Sequence, residues 1–144
     1  MSATRRLSEL LAACRAKGIK LTGQRRAVLT AIANAHDHPD AHAVHELVSK
    51  SNANLSLATV YRTLRTLSAA GLLDEHTFGD GRCHYEAADG PHHDHLIDAE
   101  TGAIVEFCDP EIERLQHMVA ARLGYRLTTH RLQLYGVRID PLNS

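Results

Sequence analysis

Cysteine is scarce and poorly spaced: Cys14, Cys83 and Cys108 are odd in number, scattered, and outside any C-x-x-C pair. That pattern excludes a secreted disulfide framework, and it excludes an all-cysteine tetrahedral zinc site within one chain. Long apolar runs are missing as well. No stretch approaches the roughly 20 residues of a membrane span, and MSATRRLSELLAACRAKG lacks the apolar centre of about 7–15 residues that marks a signal peptide. The sequence therefore predicts a cytoplasmic protein with no membrane partner.

What is present is a chain of 144 residues, 44% hydrophobic and 23% charged, enough for one domain or two small ones with a core. Eleven histidines stand out. The net charge of −1 also hides an asymmetry. Met1 to Leu73 carries ten Lys and Arg against four Asp and Glu, whereas Asp74 to Ser144 carries six against thirteen. A basic half suits a polyanion, and an acidic, histidine-rich half suits cations.

In the basic half, apolar spacing predicts helices over Thr4 to Lys17, from a Thr22 cap through Ala33, over Ala41 to Val48, and from a Ser56 cap to Gly71. In the fourth, Leu57, Val60, Leu64 and Leu67 face inward, and Thr59, Tyr61, Arg62, Thr63 and Arg65 face outward. Leu72 to Thr77 and Arg82 to Glu86 follow as short strands around the turn Phe78-Gly79-Asp80-Gly81. Helices followed by a hairpin are the order of a winged helix-turn-helix, whose last helix enters the major groove.

In the acidic half, His92 to Asp98 and Ala103 to Phe107 predict a second hairpin, Asp109-Pro110 opens a helix bearing Ile112, Leu115, Val119 and Leu123, and Tyr125 to Ile139 reads as a final strand region. An open sheet edge of this size invites a second copy. Alternation along the strand puts His93 and His95 on one face, and His92 and Asp94 on the other. A turn centred on Glu100-Thr101 then sets Glu106 opposite His95. Imidazole with carboxylate and no thiolate suits Zn²⁺, Fe²⁺, Mn²⁺ or Co²⁺.

The motifs SLATVYRTL (Ser56 to Leu64), AAGLL (Ala69 to Leu73), HHDHLI (His92 to Ile97), GAIVEF (Gly102 to Phe107) and LTTHRLQLYG (Leu127 to Gly136) together resemble the ferric uptake regulator family over nearly the whole chain. The resemblance implies an α+β protein: an N-terminal winged helix-turn-helix DNA-binding domain, residues 1–88, then a small C-terminal α/β dimerisation and metal-binding domain, residues 89–144. It implies a homodimeric repressor of A/T-rich palindromic operator DNA, active when loaded with a divalent metal. Fe²⁺ is the first expectation, and Mn²⁺ or Zn²⁺ are also able to occupy the sites. Carried over by position, the regulatory site is His38, Glu86, His93, His95 and Glu106. The second site is His92, Asp94, Glu113 and His130. Lys20 is assigned to the minor groove, and Tyr61 and Arg62 to the recognition helix.

The sequence departs from many relatives where it has Asp98 and Thr101 in place of a cysteine pair for structural zinc. That departure gives the His92 set the role of steadying the dimer. Glu86 and Glu106 replace the aspartates of the peroxide-sensing branch, and no haem-regulatory Cys-Pro is present. The same ligand types would also serve a metallohydrolase or a metal buffer. The first needs an open coordination position, and the second gives the basic half no purpose, so no catalysis and no small organic substrate are expected.

Overall fold

The computed structural model describes residues 2–35, 38–51, 53–88 and 92–139. They form two compact units, Met1–Gly90 and Pro91–Ser144. Asp89, where the sequence places the start of the second domain, lies outside the described residues. Among the described residues no helix is long and apolar enough to cross a membrane.

The first unit contains helices α1 (Ala3–Ala16), α2 (Gly23–Asn34), α3 (Ala41–Lys50) and α4 (Leu57–Ala69), then strands β1 (Leu73–Thr77) and β2 (Cys83–Ala87). Each helix starts on a side chain that accepts an otherwise unpaired backbone N–H: Ser2, Thr22, Asp40 and Ser56 take those of Arg5, Arg25, Ala43 and Thr59. At the end of α4, Leu72 N–H donates to Leu67 O and Gly71 N–H to Ser68 O. This reversal requires the left-handed backbone of Gly71, φ 79°. It turns the chain directly from the fourth helix into the wing.

Apolar faces at helical spacing close one core here. Leu10, Cys14, Val28, Leu29, Val44, Val48, Val60, Leu64, Leu67, Leu72 and Tyr85 are all buried in it. Desolvation there pushes the Cys14 thiol above its ordinary range and does the same, more strongly, to the Tyr85 hydroxyl. β1 and β2 pair antiparallel, with Asp74 opposite Glu86 and His76 opposite His84. Two details differ from the sequence reading. Thr63 is buried, with its hydroxyl donating to Thr59 O, because a short side chain that bonds its own helix can face inward. Phe78, read as a turn residue, is also buried, among the rings of His38, His76 and His84.

The second unit has β3 (Asp94–Asp98), β4 (Ile104–Phe107), α5 (Pro110–Arg122) and β5 (Gln133–Gly136), with sheet order β4-β3-β5. β4 runs antiparallel to β3 in the expected register, His95 opposite Glu106, and β5 runs parallel to β3. Asp98 fixes the hairpin turn by accepting the Glu100 and Thr101 amides, which hold its carboxyl below the usual range. Tyr125 to Leu132 is not strand, contrary to the expectation. The parallel return from the end of α5 needs that length of chain to reach its place beside β3. α5 buries no residue, and Leu96, Val105 and Leu134, aligned across the sheet, are exposed.

Candidate metal centre

In the second unit, β3 starts at Asp94 rather than at His92 as expected, yet His92, two residues ahead of it, still meets Asp94, where α5 supplies Glu113 and the segment before β5 supplies His130. His92 Nε2 and His130 Nε2 are 2.9 Å apart, and each lies 3.2 Å from Asp94 Oδ1. Glu113 Oε1 lies 3.5 Å from the first nitrogen and 3.4 Å from the second. Four ligand atoms at 2.0–2.1 Å from one ion stand about 3.3–3.4 Å apart at the corners of a tetrahedron. Five of the six corner separations therefore run from 2.9 to 3.5 Å, close to those of an N₂O₂ tetrahedral site.

The electrostatics agree with a cation at that point. The Asp94 side chain is fully buried, its Oδ2 has no hydrogen-bond partner among the described residues, and its Oδ1 faces only the two histidines. A buried carboxylate without compensation is expensive, and two imidazole nitrogens at 2.9 Å are best reconciled when both lone pairs point at one positive charge. The residues present fit a divalent ion, and the donor set suits Zn²⁺, Mn²⁺ or Fe²⁺.

The other expected set is distributed over both units, and each part has its own geometry. In the first unit, residues 38–40 run beside β2: Pro39 O accepts the Tyr85 amide and His38 O accepts from His84 Nδ1. This placement sets His38 Nε2 2.8 Å from Glu86 Oε2. In the second unit, the His93 and His95 rings meet edge-on at 4.9 Å, and His93 Nε2 is 3.6 Å from Glu106 Oε1. His95 is buried, so this face of the sheet is not simply a solvated histidine loop.

Asp74 and His76 were missed by sequence reasoning. His76 Nε2 lies 2.7 Å from Glu86 Oε1, and both residues share a face of β1 opposite Glu86. The register argument applied to the second hairpin would have found them, given that the turn at 78–81 also fixes the pairing of the first. Asp40 was missed too. Burial raises its carboxyl, but the Ala43 amide, the Arg82 guanidinium and His84 outweigh that and hold it below its ordinary range.

On the remaining face of the first unit, Tyr61 and Arg62 project from α4 into solvent, and Tyr61 meets the His42 ring edge-on at 6.4 Å. Lys20 is exposed between α1 and α2, where its carbonyl accepts from the Arg25 guanidinium. Arg65 is exposed one turn beyond Tyr61 on α4. A polar, cationic helix face of this kind has the shape and charge to enter a major groove.

Four helices closing on a two-stranded wing in one unit, and imidazole and carboxylate ligands gathered in the other, define a winged-helix, metal-binding regulator. The chain belongs to the ferric uptake regulator family, whose pattern matches residues 16–135. It is 44% identical over 124 residues to the ferric uptake regulation protein of Rhizobium leguminosarum bv. viciae, an alignment covering 86% of this chain and 87% of the relative. Among solved structures it is similar to the ferric uptake regulator of Pseudomonas aeruginosa with manganese, with TM-score 0.79, 34% identity, and coverage of 89% of this chain and 96% of that one. It is also similar to a zinc-bound manganese uptake regulator, with TM-score 0.71, 42% identity, and coverage of 93% and 99%. The protein is a transcriptional regulator of this family rather than an enzyme, so the metallohydrolase reading is set aside.

Proposed function

We propose that the protein is a metal-responsive homodimeric repressor, with Fe²⁺ as its physiological signal, that binds A/T-rich palindromic operator DNA in the cytoplasm when metal-loaded. His38, Glu86, His93, His95 and Glu106 form the regulatory set. The observation that carries this reading is the pairing of His38 with Glu86 at 2.8 Å in one unit, and of His93 with His95 and Glu106 on one sheet face in the other. Closed on one divalent cation, these side chains tie residues 1–88, the DNA-binding domain, to residues 89–144, the dimerisation domain. The tie selects conformations in which two recognition helices match the spacing of inverted half-sites.

Within that reading, His92, Asp94, Glu113 and His130 steady the second domain. Tyr61 contacts base edges, Arg62 contacts the backbone, and Lys20 enters the minor groove. The second copy is supported by the apolar surface that the second unit leaves exposed, including the segment from Leu127 to Val137. A second reading takes Mn²⁺ as the signal. It is favoured by the 42% identity to a manganese uptake regulator, and the N/O donors do not separate the two ions.

The test is an operator titration of the full chain against anaerobic Fe²⁺, Mn²⁺ and Zn²⁺, with a chelated control, for wild type and His93→Ala. Metal is expected to raise operator affinity by at least ten-fold in wild type and by nothing measurable in the variant. The affinity is also expected to fall steeply with salt, because Arg and Lys contacts release counterions. Equal operator affinity with and without metal would overturn the reading.

A further inference from the structure

Glu86 has two carboxylate oxygens, and the first unit holds them from opposite sides. His38 Nε2 lies 2.8 Å from Oε2, and His76 Nε2 lies 2.7 Å from Oε1. The regulatory set uses only the His38 side. On the other side Asp74 joins, since β1 presents Asp74 and His76 on one face and the register places Asp74 directly opposite Glu86.

Two carboxylates directly opposed across an antiparallel pair repel each other. Here the repulsion acts on half-buried groups, because the Glu86 side chain is only 14% exposed. Phe78 is buried and stacks on His76 with the rings 5.4 Å apart and 18° from parallel, which shields this end of the face from water. One ligand atom each from Asp74, His76 and Glu86 lies within 4.8 Å of the other two. Ligands on one ion at about 2.1 Å are separated by roughly 3.0 Å when adjacent and 4.2 Å when opposite, so side-chain rotations alone, with no change in the β1–β2 pairing, complete the set.

We propose that Asp74, His76 and Glu86 form a further divalent-cation site lying wholly within the first unit, with Glu86 a shared carboxylate between this site and His38. One nitrogen and two oxygens, with water in the remaining positions, suit Mn²⁺ or Fe²⁺ better than a soft ion. The site requires neither operator DNA nor any residue of the second unit, so it goes beyond the proposed function. The competing role for His76 is to orient Glu86 without binding an ion.

Mn²⁺ binding to the full chain separates these. The metal-free protein is titrated with Mn²⁺, and the free ion is counted by the loss of its paramagnetic resonance signal. Wild type is expected to bind three equivalents per chain, against two for Asp74→Asn and two for His76→Gln, or to hold the third at least ten-fold more weakly in both. His93→Ala and His130→Ala are each expected to remove a different equivalent. Asp74→Asn is isosteric and decides the matter if His76→Gln fails to fold. The same number of equivalents, equally tightly held, in wild type and Asp74→Asn would overturn the site and leave His76 as a positioning residue only. Loss of metal-dependent operator binding would instead count against the proposed function, and leaves the Mn²⁺ count unchanged.

Discussion

Leu64 and Leu123 are leucines that continue the apolar stripes of two helices in the sequence. Leu64 is fully buried in the first unit, whereas Leu123, which caps the C-terminus of α5, is 70% exposed. The contrast holds for their surroundings. The first unit closes a core among four helices and the wing. In the second, Ile112, Leu115, Val119, Leu123 and Leu127 line an open apolar groove of about 450 Å³, and Tyr135 and Val137 are exposed beyond it. Apart from Tyr61, every large hydrophobic residue exposed among the described ones lies in the second unit. An apolar surface of that extent on a regulator marks an interaction site. One unit closes its own core, whereas the other leaves apolar surface exposed and gathers a cluster of imidazole and carboxylate groups.

Truncating the two leucines breaks this comparison most directly. Leu64→Ala is expected to destabilise the protein by about 2–5 kcal/mol, since it removes buried contacts and leaves a cavity. Leu123→Ala is expected to change the unfolding of the monomer by less than about 0.5 kcal/mol, as for an exposed site, while weakening self-association about ten-fold or more. Chemical denaturation at low concentration and sedimentation equilibrium read the two quantities. Similar losses of monomer stability in both variants would show that the groove is a core and not an interface.

A smaller effect sharpens the role of metal. With the N₂O₂ cluster of the second unit intact, Zn²⁺ at about 100 times its dissociation constant is expected to add roughly 2.7 kcal/mol to stability. His130→Ala is expected to lose most of that gain, and His93→Ala little of it. Calorimetry with and without Zn²⁺ checks this. If His93→Ala loses the larger share, the stabilising and regulatory roles are exchanged.

The smallest effect concerns the cap of α3. Asp40→Ala is expected to cost about 1 kcal/mol at neutral pH, the worth of an N-cap. Asp40→Asn is expected to cost less, because asparagine still caps and the Arg82 end of the ion pair is solvent-exposed. The Asp40 carboxyl is held below its ordinary value when folded, so its charge stabilises the native state above that ordinary value, near pH 3.9. The stability is lost as pH falls through the lower, folded value. The gap between wild type and Asp40→Asn in denaturant midpoint should therefore close below about pH 4. A gap that persists at pH 2 would show that the charge is not what Asp40 contributes.

Local pattern determined most elements in advance. Ser56, Thr22 and Asp109 were legible as caps because a short polar side chain before an apolar stripe has few other uses at that spacing. The opposition of His95 and Glu106 followed from the hairpin turn alone, because pairing register is a local property. The separation of His92 and Asp94 from His93 and His95 followed from the two-residue period of a strand. Glu113 and His130 had no such local sign and rested on family resemblance.

Only the tertiary structure decided what lies far apart in sequence. It brought His130, before β5, to within 3.2 Å of the buried Asp94 carboxylate, and Glu113 on α5 to within 3.5 Å of both His92 and His130. It turned Thr63 and Phe78 inward, and it set His38 and His76 on opposite oxygens of Glu86. Pattern in a sequence reports which face of its own element a residue occupies. The identity of the group across from that face depends on packing between elements, which only the folded chain fixes.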